Sequence, residues 1–399
     1  MFTWSAQTAA RELEIIGAEG AQFEVAGKGL VWDLESQVYN VAVGHRHPHV
    51  QARMIAQIET LPACAPNAVL PIRAQLGQRL AEHSGMGKAF LTSGGSEAVE
   101  NAIKMARLLT GRTKVLARRH SYHGATLAVL EIAGDARRDP FAATMAPGLL
   151  IDDPYPAREP DPSTGTPSDW LASARALIER EDPETIAAIL LEGFTGTNGM
   201  QHPPADFWPG IRELCDAHGI LLIDDEIFSG FGRTGRWFAR EHWGVRVDLM
   251  TIGKGLTSGY APLAGVLLQP ELAARFDREV LHCGLTHYAH PVSCAAALGS
   301  IEVLEQERLV DNAAAIGELF AARFDAMVAR HDHVRGHRGL GLMRALELDT
   351  SAEALAAAAW ERGVFLPFRG SMAWICPPLC LREHEAQTIC DLLDDALTG

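Results

Sequence analysis

Residues 220–235, ILLIDDEIFSGFGRTG, and residues 247–266, VDLMTIGKGLTSGYAPLAGV, decide how this chain is read. Ile220 to Ile223 is an unbroken run of branched apolar residues, the pattern of a strand buried on both faces. It ends in an acidic pair, Asp225 and Glu226. A second apolar strand, Leu249 to Ile252, ends in Gly253-Lys254-Gly255, with the lysine on a turn. In an open α/β sheet the carboxyl ends of the strands line the ligand crevice, so an acid and an amine at two such ends face one ligand. The residues alone leave a plainer reading open, in which the acids are a solvated strand end and Lys254 is a surface lysine.

Pyridoxal phosphate needs that pair of groups: a lysine amine for a Schiff base and a carboxylate that keeps the ring nitrogen protonated. The two segments resemble the signature of the class III, pyridoxal-phosphate-dependent aminotransferases of fold type I. The resemblance places Asp225 on the ring-nitrogen aspartate, Ile227 on the aliphatic residue behind the ring, and Lys254 on the Schiff-base lysine. The family usually has a small neutral residue before Asp-Glu, so Asp224 is a departure. Facing the site, it would raise the pKa of its neighbour by like-charge repulsion. Strand alternation predicts that it turns away.

Composition agrees with an enzyme of this kind. At 399 residues the chain suits two domains, or one large domain with a smaller lobe. A formal charge of −15 argues against nucleic acid and anionic membrane surfaces as partners, since phosphate contacts need clustered Lys and Arg. No apolar run of about 18 residues is present, so no transmembrane helix is expected, and the N-terminus shows no secretory pattern. The 7 cysteines fall at scattered spacings without CxxC, which fits reduced thiols in the cytoplasm. His45, His47 and His49 invite a metal site, but Gly44 and Pro48 indicate a turn into a helix, and no metal is expected. Cys376, Cys380 and His384 read as core for a similar reason, because Pro377 and Pro378 break the helix they would need.

The rest of the chain falls into place around the two strands. Residues 18–37 read as a hairpin turning at Gly27 and Gly29. In KAFLTSGGSEAVENAIKMARLLTGR, a strand Ala89 to Thr92 and a Gly94-Gly95 turn lead into a helix opened by Ser96, with Ala98, Ala102, Ala106 and Leu109 on one face and Gly111 as its stop. Free N–H groups at such a helix start suit a phosphate. The segment resembles the family's phosphate cup, with Gly94 standing where a serine is usual, so the amides of Gly95 and Ser96 carry more of the contact. RRHSYHGAT follows the strand KVLAR. The resemblance stacks Tyr122 on the cofactor ring, with His123 following it. Residues 147–169 read as a Pro-rich surface loop, followed by a helix with Ser168 or Asp169 as N-cap. The strand TIAAILLEGF ends at Glu192, which the resemblance puts beside the cofactor's hydroxyl. The continuation GFTGTNG resembles the branch of taurine–pyruvate-type and related ω-amino acid transaminases.

A helix begins at about Pro291. The family places Thr286, just before it, on the phosphate of the partner subunit's cofactor, which implies a homodimer. His287 and Tyr288 are bulkier than usual there and narrow the pocket. GHRGLGLMRALEL reads as one strand with a glycine-rich lead-in. Arg369, in a short loop between two strands, is placed to meet a substrate carboxylate or sulfonate by a bidentate contact. Other ω-transaminases carry their arginine where Pro367 stands, and Gly370 replaces an aromatic. The expected fold is α/β: a large, mostly parallel sheet domain over residues 51–291 plus a smaller α+β lobe, residues 292–399, to which an N-terminal arm, residues 1–50, contributes. The expected activity is amino-group transfer from an amine or ω-amino acid to a keto acid such as pyruvate. A racemase, aminomutase or decarboxylase of the same fold stays open, since Asp225, Lys254 and the phosphate cup serve all of them.

Overall fold

The computed structural model describes residues 13–154, 170–196 and 199–398. Near the N-terminus, β1 (Ile15–Glu19), β2 (Gln22–Val25) and β3 (Gly29–Asp33) form an antiparallel meander. The central sheet has seven strands: β4 (Lys88–Thr92), β5 (Lys114–Arg118), β6 (Leu149–Ile151), β7 (Ile186–Leu191), β8 (Leu221–Asp225), β9 (Leu249–Ile252) and β10 (Ala264–Leu268). Beyond it come β11 (Val334–Leu340), β12 (Met343–Leu348), β13 (Val364–Phe365), β14 (Phe368–Arg369) and β15 (Met372–Ile375). β13 crosses to pair in parallel with β3, while the other four make a sheet of order β11-β12-β15-β14. The N-terminal meander is therefore stitched to the C-terminal hundred residues.

The central order is β4-β10-β9-β8-β7-β5-β6, and every neighbouring pair is parallel except the two made by β10. Every residue of β7, β9 and β10 is buried, as unbroken apolar runs predict for a sheet covered on both faces. The helix Gly95–Thr110 packs on β9 and β10 through Ala98, Ala102 and Ala106, all with no exposure. Their small side chains bring the helix close to the sheet. Gly111, at φ +72°, ends it in the left-handed conformation glycine adopts freely. Parallel pairing of Asp225 with Thr251 sets the ends of β8 and β9 level, which is how Asp225 and Lys254 come to the same edge.

Two local expectations are corrected. Residues 149–151, read as loop, form the edge strand β6, paired with β5 from Leu116 to Arg118. Three apolar residues between Gly148 and Asp152 are too few to show a period. Residues 155–169, with the expected N-caps Ser168 and Asp169, lie outside the described residues. The segment read as one strand, 336–348, is a hairpin of β11 and β12 that turns at Gly341, φ +52°. A Cβ at Gly341 would lie 2.4 Å from the Thr234 carbonyl carbon, so the hairpin tip is wedged against the FGRTG loop. Among the described residues, no helix is long and apolar enough to cross a membrane.

Candidate active site

Three hydrogen-bond donors converge on the carboxylate of Asp225, which is 4% exposed. Thr251 Oγ1 donates to Oδ1 at 2.9 Å and the Ile227 amide to the same oxygen at 3.1 Å. His123 Nδ1 lies 2.7 Å from Oδ2. A carboxylate only accepts, so the His123 proton sits on Nδ1. The imidazole is fully buried, and its Nε2 has no hydrogen-bond partner among the described residues.

Lys254 begins a short 3₁₀ turn, Lys254–Leu256, just past the end of β9. Its φ of +38° is in the left-handed region, a strain of about 1–3 kcal/mol for a non-glycine residue, of the kind that collects at functional sites. Surrounding protein desolvates the amine and lowers its pKa below the ordinary 10.5, while the Asp225 and Glu192 carboxylates oppose the shift. The side chain remains partly accessible. Its Nζ stands 5.4 Å from the centre of the Phe228 ring, which in turn packs on Tyr39 at 4.4 Å.

Ile227 joins the lysine turn to the helix start. A Cβ on Gly95 would come within 3.1 Å of Ile227 Cδ1, and one on Gly253 within 3.4 Å of its Cγ2. Helix Gly95–Thr110 thus opens directly beside Asp225 and Lys254, with its first backbone N–H groups lacking intrahelical partners. Gly94 is extended, and a Cβ there would meet nothing within 4 Å, so open space lies in front of those donors. Ser96 Oγ accepts from the Ala125 amide at 3.1 Å, tying the Tyr122-His123-Gly124 turn to the helix. That contact requires glycine at 124, whose φ is +142° and whose Cβ would lie 2.4 Å from Ser96 Oγ.

Glu192, directly after β7, accepts from the Tyr122 amide at 2.7 Å and from the Gly196 amide at 3.3 Å. Burial raises its pKa, against the opposing pull of Arg118, His123 and the Tyr122 amide. The Arg137 guanidinium lies over the Tyr122 ring, 3.8 Å from its centre.

Asp225, Ile227, Lys254, Gly94, Gly95, Ser96, Tyr122, His123 and Glu192 are therefore linked by contacts into one region. Thr286 is not part of it: it sits exposed in the turn 286–289. Arg369 is exposed at the end of β14, before the turn at Gly370. The β14–β15 hairpin reaches the loop after Glu192, where a Cβ on Gly199 would lie 2.5 Å from Met372 Sδ. Thr197 and Asn198 of GFTGTNG lie outside the described residues. The three histidines near the N-terminus part company, His45 to Asp33, His47 to Glu307 and His49 to Glu302. No group of three or more His, Cys, Asp or Glu side chains suited to a metal ion occurs among the described residues. Sequence reasoning missed Thr251, Phe228 and Gly124. Thr251 left a signal, being the one polar residue in the buried strand LMTI.

The family model Aminotransferase class-III matches residues 11–397. The chain belongs to the class III aminotransferases. This aminotransferase is 33% identical to the acetylornithine aminotransferase of Methanothermobacter thermautotrophicus over 93% of each chain. It is 37% identical to the 4-aminobutyrate aminotransferase of Escherichia coli, over 80% of this chain and 76% of that one. Its structure is similar to the taurine:2-oxoglutarate aminotransferase of Bifidobacterium kashiwanohense, solved with PLP and glutamate, at TM-score 0.92 and 29% identity, covering 100% of this chain and 95% of that one. An amine transaminase from an uncultivated Pseudomonas species, solved with PLP bound, gives TM-score 0.91 and 31% identity over 100% and 97%.

The aminotransferase uses pyridoxal phosphate, and its residues fit that group. The lysine amine is desolvated, the acid is held by three donors, and glycine at 94 leaves the helix N-terminus open to an anion.

Proposed function

We propose that this aminotransferase is an ω-transaminase, taking the amino group of a terminal amine or ω-amino acid and passing it to a short keto acid such as pyruvate. The observation that carries the reading is the meeting of a desolvated Lys254 amine with the thrice-bonded Asp225 at the level ends of β9 and β8. The donors named by its relatives, acetylornithine, 5-aminovalerate, 4-aminobutyrate and taurine, have an amine on a terminal carbon.

When bound, the cofactor supplies an electron sink for the bond broken beside the donor nitrogen. The chain's residues do the rest. Lys254 Nζ anchors the cofactor and then carries the proton, its lowered pKa leaving more of the neutral base near neutral pH. Asp225 holds the ring nitrogen's proton, with His123, Thr251 and the Ile227 amide fixing the carboxylate. Ile227 and Tyr122 would hold the ring by apolar contact, and Glu192 would stand near its hydroxyl group. The amides at Gly94, Gly95 and Ser96 bind the phosphate. Arg369 meets the substrate's acid group. Thr286, exposed here, reaches the partner's cofactor in a cytoplasmic homodimer. Residues 51–291 are the cofactor domain, and residues 1–50 and 292–399 together make the smaller lobe.

The test is an absorbance titration of the purified, cofactor-loaded protein with a panel of ω-amines and α-amino acids. A productive donor converts the cofactor stoichiometrically to its amine form, and pyruvate restores the starting spectrum. Lys254→Ala is expected to show neither change at catalytic rates. Disappearance of substrate with the starting spectrum intact would overturn the transfer reading in favour of racemisation, isomerisation or decarboxylation.

A further inference from the structure

The C-terminal sheet sets a row of side chains against the loop that follows Glu192. Glu347 of β12 pairs with Met372 of β15, and Met372 pairs with Arg369 of β14. Residues directly opposite in a ladder share a face, so these three stand on one side of the sheet. Arg338 of β11 pairs with Ala345, two residues before Glu347, and so stands on that same side as the diagonal neighbour of Glu347. Its guanidinium is half-buried, and each of its nitrogens has a partner. Nε donates to the Gly199 carbonyl at 2.7 Å, Nη1 donates to Glu347 Oε2 at 2.6 Å, and Nη2 meets Met372 Sδ. Two acceptors on two sides of a planar group fix its orientation.

Gly199 carries that contact back towards the active site. It is left-handed at φ +96°, and so is the buried Met200 at φ +55°. A non-glycine residue keeps such a conformation only where its surroundings hold it. The Gly199 amide donates to the Gly196 carbonyl at 3.1 Å, and the Met200 amide donates to the same carbonyl at 3.4 Å. The Gly196 amide in turn donates to Glu192 Oε2 at 3.3 Å. Gly196 also packs on Phe228, since a Cβ there would lie 2.7 Å from the ring, and that ring is the one beside Lys254 Nζ.

We propose that Arg338 is a positioning residue for Glu192: it docks the loop on the C-terminal sheet so that Gly196 keeps its amide on the carboxylate and its backbone on Phe228. Glu192 needs that donor. Burial favours its protonated form, and each N–H it accepts from favours the anion. The Tyr122 amide supplies one bond and the Gly196 amide the other. Through Glu347 and Met372 the same guanidinium is joined to the row that carries Arg369, so the acid near the cofactor and the cation offered to the donor share one frame. This last role rests on the proposed function, whereas the docking of the loop does not.

Hydrogen exchange, read by mass spectrometry on cofactor-free wild type, Arg338→Met and Arg338→Lys, tests the docking at the amides of Gly196, Gly199 and Met200. Arg338→Met keeps the apolar stem and loses every donor. Its loop amides are expected to exchange about tenfold or more faster, as befits loss of a hydrogen bond from a charged group, with the central sheet protected as before. Arg338→Lys keeps a charge beside Glu347 without the fork, and its exchange is expected to fall between the two. Arg212→Met is the control. It breaks the 2.8 Å pair with Asp248 at the other end of β8, and is expected to lower the melting midpoint without changing exchange in the loop. In cofactor-loaded Arg338→Met, the rate at which a donor converts the cofactor to its amine form is expected to fall about tenfold, for acid-bearing donors and a simple primary amine alike. Wild-type exchange in the loop of Arg338→Met, or faster exchange with an unchanged conversion rate, would overturn the proposal. So would failure of both Arg338 variants to fold, which would make the arginine a requirement of the fold alone. A wild-type protein that no donor converts would refute the ω-transaminase reading instead, and the exchange result would then decide the docking by itself.

Discussion

Gly124→Ala tests the part of the site that holds the cofactor turn against the helix. Gly124 has φ +142°, a conformation left almost entirely to glycine, and alanine there carries about 1–3 kcal/mol of backbone strain. The added Cβ would also lie 2.4 Å from Ser96 Oγ, 2.9 Å from Ser96 Cβ and 3.0 Å from Ser96 Cα. Rotating the serine side chain relieves only the first of these, so the turn and the helix start have to separate, at a further cost of about 1–3 kcal/mol. Separation removes the Ala125 amide bond to Ser96 and moves the turn that carries Tyr122 and His123 away from the helix start. If only about 1.4 kcal/mol of that total falls on the bound state, cofactor affinity drops tenfold. The assay is a fluorescence titration of cofactor-free protein with pyridoxal phosphate, beside a thermal melt. Gly111→Ala is the control, since Gly111 is also left-handed, at φ +72°, but a Cβ there meets nothing. It lies past the far end of a 16-residue helix, about 24 Å from the site. The control is expected to lower the melting midpoint and leave affinity alone. Wild-type cofactor affinity in Gly124→Ala would refute the close packing of turn on helix as a binding determinant.

Two further outcomes follow from the same geometry. Because burial lowers the Lys254 amine's pKa and the neutral amine is the nucleophile, the rate at which cofactor-free protein captures pyridoxal phosphate should rise with pH and level off below 10.5; a stopped-flow pH series that climbs without a break to that value would contradict it. Arg369→Ala should raise KM at least about tenfold for donors carrying a carboxylate or sulfonate, from loss of a charged hydrogen bond of about 1.5–3 kcal/mol, while a simple primary amine is little affected; equal changes for both donor types would remove Arg369 from acid recognition.

How far the sequence can be read is set by whether a residue's role depends on its neighbours in the chain or across the fold. The apolar runs of β7, β8 and β9 and the alanine face of helix Gly95–Thr110 are local patterns, and they gave the parallel part of the sheet and the covering helix directly. Asp225 and Lys254 were legible because each stands at the end of such a run. β6 was not, since a three-residue edge strand is made by pairing with β5 rather than by its own period. The glycines divide the same way. Gly111 declares itself as a helix stop, whereas Gly124 and Gly341 are glycine because of Ser96 and Thr234, residues 28 and 107 positions away by their numbering. Gly341 carries the point furthest. Its tip lies against Arg233, whose guanidinium donates to the Val41 carbonyl at 3.2 Å and to the Pro377 carbonyl. The GFGRTG stretch that follows Asp225 and Glu226 is thus also the clamp joining the N-terminal arm, the central sheet and the C-terminal sheet. That gives Gly232, Arg233 and Gly235 a packing role beside the catalytic one proposed for Asp225. It explains why one short segment announces both the chemistry and the fold: the strand end that holds the acid is the place where the parts of the chain meet.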